Sequence, residues 1–369
     1  MSEGLNMSRR IRRTAYTDRL QREGVSGFSV VNHMLLPKAF KESVEDDYWH
    51  LREHVQLWDV SCQRQVQIVG VDATKLIQLM TPRDIGKMRI GNCLYVPIVD
   101  QNGGLINDPV LLKISSEKYW LSIADSDLLL YALGLATGLK LEVIISEADV
   151  WPLGVQGPKA EDLVANLFGE QIRKIGFFKF GWINFKGTKQ LIARSGFSRQ
   201  GGFEIYLEGK DLGSDLWDLI LKIGKNYNIR PGCPNIIERV EGGLFSYGNE
   251  MTRDNNPLEI GLRKFCSLDG SVEYTGRRAI EKIAAEGEIQ QIRGVVFAGP
   301  KCPTCSEPWP VILDEKKIGQ LTSGMYSPRL KANVALGMIL REFWDTSRVI
   351  EIDCLDGVTR QGKLSKFPL

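Results

Sequence analysis

Residues 193–209 read ARSGFSRQGGFEIYLEG and predict two β-strands joined by a polar, glycine-rich loop. The first strand ends at Gly196, and the second begins after a Gly-Gly pair as the run FEIYL. This second run places a carboxylate, Glu204, between two apolar residues. A glutamate in that position either faces water on the open side of a half-buried strand or is held in a pocket by a specific partner.

The sequence on either side of this stretch mixes helical and strand-like patterns. Apolar residues at helical spacing predict helices, strict alternation predicts strands, and Asn-Gly or Gly-Gly pairs mark turns. The predicted elements are a helix over 44–60, a strand over 66–70, a helix over 72–82, two strands over 94–115, a strand over 118–124 and a helix over 127–138. Strand pairs joined by returning helices predict a fold of the α+β class.

The last part of the chain has a different pattern. After residue 283 the apolar runs are short, are punctuated by turns and show little helical spacing, which predicts a small β domain. The 369 residues are enough for two or three domains of about 150 residues each. We therefore predict two regions, residues 1–283 and residues 284–369, with the break in the segment KIAAEGEIQQ.

The charge balance and the distribution of apolar residues argue against several classes of function. Lys and Arg number 47 against 45 Asp and Glu, which argues against a nucleic-acid-binding surface. No window has the long uncharged apolar run of a membrane span, and the polar N-terminal segment lacks the core of a secretory signal. We expect a cytoplasmic protein whose seven cysteines are reduced thiols. We interpret the arginine-rich segment 8–13 as a solvated arm or a docking segment.

Two short motifs resemble parts of metal sites. His50, Glu53 and His54 match H-x-x-E-H, in which two histidines one helical turn apart hold zinc, and Cys302 and Cys305 form half of a zinc ribbon. The first motif has no identifiable third ligand and the second lacks its other half, so we predict that the protein needs no metal. Phosphate-binding loops, dinucleotide-binding motifs and the hydrolase nucleophile elbow are missing from the sequence.

A series of longer motifs resembles the landmarks of the folate-dependent glycine cleavage T-protein (aminomethyltransferase) family, in order and over essentially the whole chain. They are WDVS at 58–61, MTPRDI at 80–85, GGLINDPV at 103–110, RSGFSRQGGFEIY at 194–206, RVEGGLFSYGNEM at 239–251, NPLEIGL at 256–262, YTGRRA at 274–279 and IGQLTSGMYSPRLKANVALGMI at 318–339. The resemblance implies a three-domain cloverleaf, in which two interwoven α+β domains and a C-terminal β-barrel surround a central folate channel. Residues 1–283 would then form the bipartite folate-binding region, and residues 284–369 the barrel.

The resemblance also implies roles for polar residues that the apolar runs enclose. Glu204 occupies the position of the family's glutamate that binds the amino-pyrimidine edge of the pterin, whose paired N–H donors suit a two-oxygen acceptor. Arg239 is similar to the family's folate-facing cation. Tyr95 and Asp108 match the family's Tyr and Asp, and Asp108 is the carboxylate near the reacting end of the folate. These four residues are the predicted tetrahydrofolate site, and Asp108 is also a predicted catalytic residue.

Within the family, segments such as NHMLLP at 32–37 and RPGCPNIIERVEGGLFSYGN at 230–249 resemble the demethylase branch. That resemblance implies transfer of a methyl group from the sulfonium of dimethylsulfoniopropionate to tetrahydrofolate, giving 5-methyltetrahydrofolate and methylmercaptopropionate. Because aromatic faces attract such a cation, we predict Phe197, Phe203 and Tyr206 as substrate-binding residues and Tyr206 also as catalytic. Phe197 replaces the tryptophan of the demethylases and the tyrosine of T-proteins, so it lacks any hydrogen bond that those residues make.

Two other functions stay open. The first is an aminomethyltransferase or methyltransferase acting on an amine, such as dimethylglycine, betaine or a lipoyl-carried aminomethyl group. The second is a folate-binding protein without turnover, like the iron-sulfur assembly relatives, whose K-G-C-Y-x-G-Q signature is missing here. In each case the partners are small molecules, with no nucleic acid and no membrane. A homodimer stays open as the assembly state.

Overall fold

The computed structural model describes residues 8–369. In this part of the chain the strands are β1 Gly27–Val31, β2 Met34–Ala39, β3 Val55–Asp59, β4 Gln65–Val69, β5 Cys93–Tyr95, β6 Ile98–Val99, β7 Leu105–Asn107, β8 Val110–Lys113, β9 Lys118–Ser122, β10 Ile144–Glu147, β11 Val150–Gln156, β12 Phe180–Phe185, β13 Thr188–Ala193, β14 Gly202–Glu208, β15 Ile229–Gly232, β16 Gln290–Phe297, β17 Trp309–Leu313, β18 Lys316–Ser327, β19 Ala332–Leu340, β20 Ile350–Asp353 and β21 Thr359–Ser365. The α-helices are α1 Thr17–Arg22, α2 Val44–Glu53, α3 Ala73–Met80, α4 Leu128–Gly138, α5 Ala160–Phe168, α6 Gly213–Gly224, α7 Ile236–Gly242 and α8 Arg277–Glu286.

Two sheets of the N-terminal region take their strands from alternating parts of the chain. One sheet has five strands in the order β10-β4-β9-β8-β5, and the other has six in the order β12-β13-β14-β11-β3-β15. The chain therefore enters the six-stranded sheet with β3, leaves it for the five-stranded sheet, and returns with β11. β3 pairs in parallel with β15, which follows much later in the sequence. The two α+β units are interwoven, as predicted.

The two sheets pack against each other, and helices cover their outer faces. Helices α1, α5 and α6 pack on the six-stranded sheet around Trp217 and Leu163, while α3 and α4 pack on the five-stranded sheet around Leu76. Between the sheets, the buried rings of Trp120 and Tyr206 stack with centroids 6.4 Å apart. Burial of these apolar side chains on both faces of each sheet stabilises the layered arrangement.

The C-terminal region is a closed barrel of six strands in the order β16-β19-β18-β17-β20-β21, which confirms the expected β-barrel. Pairing of β16 with β21 closes the barrel, and Trp309 and Phe297 pack edge to face inside it. The predicted boundary at 283/284 falls within α8, the last helix before the barrel, and it stays a prediction.

Two segments differ from their predicted structure. The helix predicted over 44–60 ends at Glu53, and residues 55–59 form β3, every residue of which is buried. A strand buried on both faces need not alternate, and Val55 continues the helical spacing of Tyr48 and Leu51 in α2. The two strands predicted over 94–115 are each broken, because Pro97 and Pro109 interrupt the hydrogen-bonded ladder.

The arginine-rich segment near the N-terminus contacts the rest of the protein. Arg12, from the arginine-rich segment 8–13, pairs with Glu147 at 2.6 Å, so this part of the segment lies against the body of the protein. No helix in the described residues is both long enough and apolar enough to cross a membrane.

Candidate active site

A cavity of about 1920 Å³ opens where the interwoven units and the barrel meet. It is larger than the roughly 300–1,000 Å³ that is common for sites of drug-sized ligands. The five-stranded side contributes Tyr95 and Asp108, the six-stranded side contributes Gln156 and the loop after β13, and the barrel contributes Ser323. A ligand in this cavity would therefore contact all three parts of the fold.

Glu204 is buried next to this cavity, behind Ser195 of the cavity lining. Alternation along β14 directs it to the face between the two sheets. The hydroxyl of Ser195, which lines the cavity, donates a hydrogen bond to Oε2 of Glu204 at 2.5 Å. Burial raises the pKa of Glu204, and the Ser195 hydrogen bond partly opposes this rise. The carboxyl group is thus fixed by its strand and by one hydroxyl, and it does not lie on a water-exposed face.

The loop between β13 and β14 is shaped around the buried side chain of Gln156. The amide nitrogen of Gln156 donates to the carbonyl oxygen of Ser195 at 3.2 Å, and its oxygen accepts a hydrogen bond from Ser198 at 2.7 Å. Gly196 has a φ of 152°, and a Cβ there would lie 2.0 Å from the Gln156 oxygen. Only glycine fits this close approach, which explains the glycine in the RSGFS motif.

Tyr95 and Asp108 face the cavity as a hydrogen-bonded pair. The Tyr95 hydroxyl donates to Oδ2 of Asp108 at 2.8 Å, whereas Oδ1 is buried and has no hydrogen-bond partner among residues 8–369. Burial raises the pKa of Asp108 to about 7, although the Tyr95 hydrogen bond opposes this, and the nearby Glu250 adds to the rise. An orphan carboxylate oxygen at a cavity wall is an acceptor for a ligand donor or a partner for a ligand cation.

Arg239 lines the cavity but is also held in a buried ion pair. One guanidinium nitrogen donates to Oε2 of Glu250 at 2.7 Å and to the carbonyl of Leu244 at 3.1 Å, and another donates to Ser323. Ser323 belongs to the barrel, and its hydroxyl donates in turn to Glu250. Arg239 therefore ties α7 to the barrel, and its charge is compensated without a ligand.

The three aromatic residues predicted at the donor site do not lie together. Phe197 lines the cavity. Phe203 points to the opposite face of β14 from Glu204, into the helix-covered core, and is absent from the cavity lining. Tyr206 shares the face of Glu204, but it is covered by Trp120 between the sheets and does not line the cavity either. Phe197 thus lines the same cavity as Tyr95 and Asp108, and the other two aromatic residues lie in the packed interior.

Arg83 and Phe265 line the cavity but were not predicted as site residues. Arg83 lines the cavity, donates to the carbonyl of Tyr95 at 2.5 Å and stacks over the ring of Phe265, with its guanidinium carbon 4.4 Å from the ring centre. Phe265 in turn packs edge to face against Tyr95, with centroids 5.7 Å apart. In the sequence, Arg83 could have been identified only by its position inside the motif MTPRDI at 80–85.

The motifs that resemble metal sites have other contacts. The Nε2 of His50 lies 2.9 Å from the carbonyl of Asn228, and the Nδ1 of His54 lies 2.9 Å from the Lys159 ammonium. The ring nitrogens that would bind zinc are therefore engaged in part by protein groups. Among residues 8–369 there is no group of three His, Cys, Asp or Glu side chains placed to hold a metal ion.

Comparison with known proteins agrees with this architecture. The family model described as the GCVT N-terminal domain matches residues 16–270, and the model of the glycine cleavage T-protein C-terminal barrel domain matches residues 290–369. The chain belongs to the glycine cleavage T-protein family.

Individual relatives cover nearly the whole chain. It is 48% identical over 351 residues, 95% of each chain, to the dimethylsulfoniopropionate demethylase of Ruegeria pomeroyi. It is 31% identical over 324 residues to an aminomethyltransferase of Caldanaerobacter subterraneus, covering 86% of this chain and 85% of the relative. The crystal structure of the glycine cleavage system aminomethyltransferase T from Bartonella henselae shares the fold, with a TM-score of 0.86 at 19% identity over 97% of this chain and 98% of that one.

Proposed function

We propose that this chain is a tetrahydrofolate-dependent methyltransferase that removes a methyl group from dimethylsulfoniopropionate, giving 5-methyltetrahydrofolate and methylmercaptopropionate. The observation that carries the proposal is the buried, unpartnered oxygen of Asp108 at the cavity wall, which is complementary to a cationic methyl donor. The identity of 48% to a dimethylsulfoniopropionate demethylase supports the choice of donor.

The residues present fit tetrahydrofolate as the methyl acceptor. The cavity is large enough for a folate beside a small donor. Glu204 offers a buried two-oxygen acceptor next to the cavity, and the Ser195 hydroxyl of the cavity lining donates to its Oε2. That arrangement suits paired N–H donors such as those of an amino-pyrimidine edge. We keep Glu204, Tyr95 and Asp108 as the proposed folate site. Arg239 also lines the cavity, where its ion pair with Glu250 and its hydrogen bond to Ser323 hold α7 against the barrel.

The chain's own residues have mainly to align and shield the reactants. Bound tetrahydrofolate supplies a nitrogen nucleophile: a carbon–nitrogen bond forms, the carbon–sulfur bond breaks with its electron pair left on sulfur, and the nitrogen loses a proton. Asp108 places negative charge beside the sulfonium, and with a pKa of about 7 it can hold the released proton. Tyr95 fixes the orientation of that carboxyl group. Phe197 supplies an aromatic wall that excludes water.

The function is tested by incubating the purified protein with tetrahydrofolate and one donor at a time, either dimethylsulfoniopropionate or a panel of methylated amines. The products 5-methyltetrahydrofolate and 5,10-methylenetetrahydrofolate are measured separately. We expect the 5-methyl product with dimethylsulfoniopropionate. Formation of the methylene product, or turnover confined to an amine such as dimethylglycine, would instead establish the amine-directed alternative, which the aminomethyltransferase relatives favour.

Replacement of Phe197 tests the donor pocket. Phe197→Trp should lower the Michaelis constant for dimethylsulfoniopropionate, because indole is the strongest cation–π partner. Phe197→Ala should raise that constant and also lower turnover, since slight misplacement of reactants can cost about a hundredfold in rate. The measurement is steady-state kinetics on the wild type and both variants, with folding checked by circular dichroism. Equal constants in all three proteins would remove Phe197 from the donor site.

We retain Asp108 as the proposed catalytic residue. Phe203 and Tyr206 are not part of the proposed donor pocket, because Phe203 packs in the helix-covered core on the other face of β14 and Tyr206 is covered by Trp120. The cytoplasmic location and a homodimer also remain predictions.

A further inference from the structure

Arg83 has the features of a residue that awaits an anionic ligand. It follows α3, where the side chain of Gln78 holds the loop by donating to the carbonyls of Thr81 and Arg83. The Arg83 guanidinium lines the cavity, half-buried, between the ring of Phe265 and the carbonyl of Tyr95. Its position is thus determined by three separate contacts, and it is not a mobile surface charge.

The charge of Arg83 has no acidic partner among residues 8–369. By contrast, the buried guanidinium of Arg239 is paired with Glu250 at 2.7 Å. The recorded contacts of the Arg83 guanidinium are instead a backbone carbonyl and an aromatic face, and burial lowers its pKa. A half-buried guanidinium without a counter-ion carries an unfavourable desolvation free energy. A carboxylate ligand that it binds through two parallel hydrogen bonds offsets this desolvation free energy.

We propose that Arg83 binds the carboxylate of the methyl donor and thereby selects donors that carry an acid group at one end and an onium centre at the other. The inference rests on the proposed function and adds a specificity-determining residue to it. Dimethylsulfoniopropionate is such a zwitterion. The cavity wall has the complementary order of charges, with Asp108 for the sulfonium and Arg83 for the carboxylate.

Tyr95 links these two charges. Its hydroxyl donates to Asp108 and its carbonyl accepts from Arg83. A single residue therefore lies between the carboxylate and the guanidinium and holds both in position. The other carboxylates that could reach the cavity belong to the glutamate tail of tetrahydrofolate. The donor is favoured because Arg83 contacts the backbone of Tyr95, the residue whose hydroxyl binds Asp108, where the proposed methyl transfer takes place.

The test compares three small ligands in wild type and in Arg83→Met, a change that keeps an apolar stem against Phe265. The measurements are the Michaelis constant of dimethylsulfoniopropionate and the inhibition constants of methylmercaptopropionate and trimethylsulfonium. The first two ligands carry a carboxylate, and the third carries only the cation. We expect Arg83→Met to raise the first two constants about tenfold or more and to leave the third unchanged, as loss of one charge-assisted pair predicts.

Three controls make the outcome unambiguous. Arg83→Lys, which keeps the charge but not the planar fork, should recover part of the lost affinity. Arg89→Gln removes an exposed arginine outside the cavity lining and should match wild type. The dissociation constants of tetrahydrofolate and of tetrahydropteroate, which lacks the glutamate tail, are measured for Arg83→Met as well.

Each contrary result has a distinct meaning. If Arg83→Met weakens tetrahydrofolate but neither tetrahydropteroate nor methylmercaptopropionate, the arginine binds the folate tail and the inference is wrong. Equal changes for all three donor-site ligands would also overturn it, because the effect would then not depend on a carboxylate. A wild-type protein that does not turn over dimethylsulfoniopropionate would refute the proposed function itself. Turnover that is unaffected by Arg83→Met would refute only the role of Arg83.

Discussion

Asp108→Asn is expected to lower kcat/KM for dimethylsulfoniopropionate by about a hundredfold to a thousandfold, the usual loss when a preorganised electrostatic partner is removed from an active site. Asparagine keeps the size of the side chain and can still accept the Tyr95 hydrogen bond, but it carries no negative charge beside the sulfonium. The measurement is steady-state kinetics with tetrahydrofolate held at saturation. Asp211→Asn, at an exposed aspartate outside the cavity lining, is the matched control and should behave as wild type.

The pH dependence of the same reaction provides a second readout. Because the pKa of Asp108 is about 7, its ionised form increases as the pH rises through neutrality, so kcat/KM should rise over that range in the wild type. The rise should disappear in Asp108→Asn. An identical pH profile in the two proteins would show that another group titrates and would contradict the role proposed for Asp108.

Stability distinguishes this loss of activity from unfolding. Burial raises the pKa of Asp108 above the value of about 3.9 expected in the unfolded chain. The folded state therefore retains a proton that the unfolded state has already released, and the contribution of Asp108 to stability falls as the pH rises from about 4 to about 7. Asp108→Asn lacks that penalty, so it should unfold at the same temperature as wild type or higher at neutral pH.

Glu204→Gln is expected to weaken tetrahydrofolate binding by about 10-fold to 150-fold, which corresponds to loss of a charge-assisted pair worth about 1.5–3 kcal/mol. An amide presents one acceptor and one donor to a ligand edge that requires two acceptors. The dissociation constant can be measured by calorimetry without any methyl donor. Glu208→Gln, an exposed position on the same strand and the same face, is the matched control. Unchanged affinity in a folded Glu204→Gln protein would remove Glu204 from the folate site.

The sequence was sufficient for the fold class and for part of the site. The strand pattern alone left Glu204 either facing water or held in a pocket, and the family resemblance implied the pocket; the structure shows the side chain buried. The same strand periodicity argues against Phe203, since neighbouring residues of a strand point to opposite faces. Tyr206 could not be assigned in this way, because it shares the face of Glu204 and only the packing of Trp120 shows that the other sheet covers it.

The position of Arg83 could not be interpreted from sequence for a related reason. Whether a charged side chain is paired depends on residues far away in the chain, and Arg239 shows this because its partners lie 11 and 84 positions later. Arg83 follows a helix in a motif whose residues give no sign of a missing partner. Likewise, β3 was predicted as part of a helix, because its burial on both faces is a property of the assembled sheet.

The interwoven sheets have a consequence for how the protein acquires its active site. Parallel pairing of β3 with β15 joins segments separated by most of the N-terminal region, so loop-closure entropy must be overcome before this sheet is complete. The six-stranded unit is not a continuous piece of chain, because the five strands of the other sheet lie between β3 and β11 in the sequence. A fragment ending before β15 would lack an edge of the six-stranded sheet. The cavity is therefore complete only when all three parts of the chain have assembled, because each part contributes to its lining. A ligand that binds there binds only the fully folded chain. It would therefore raise the free energy of unfolding of the two units together, as one cooperative body.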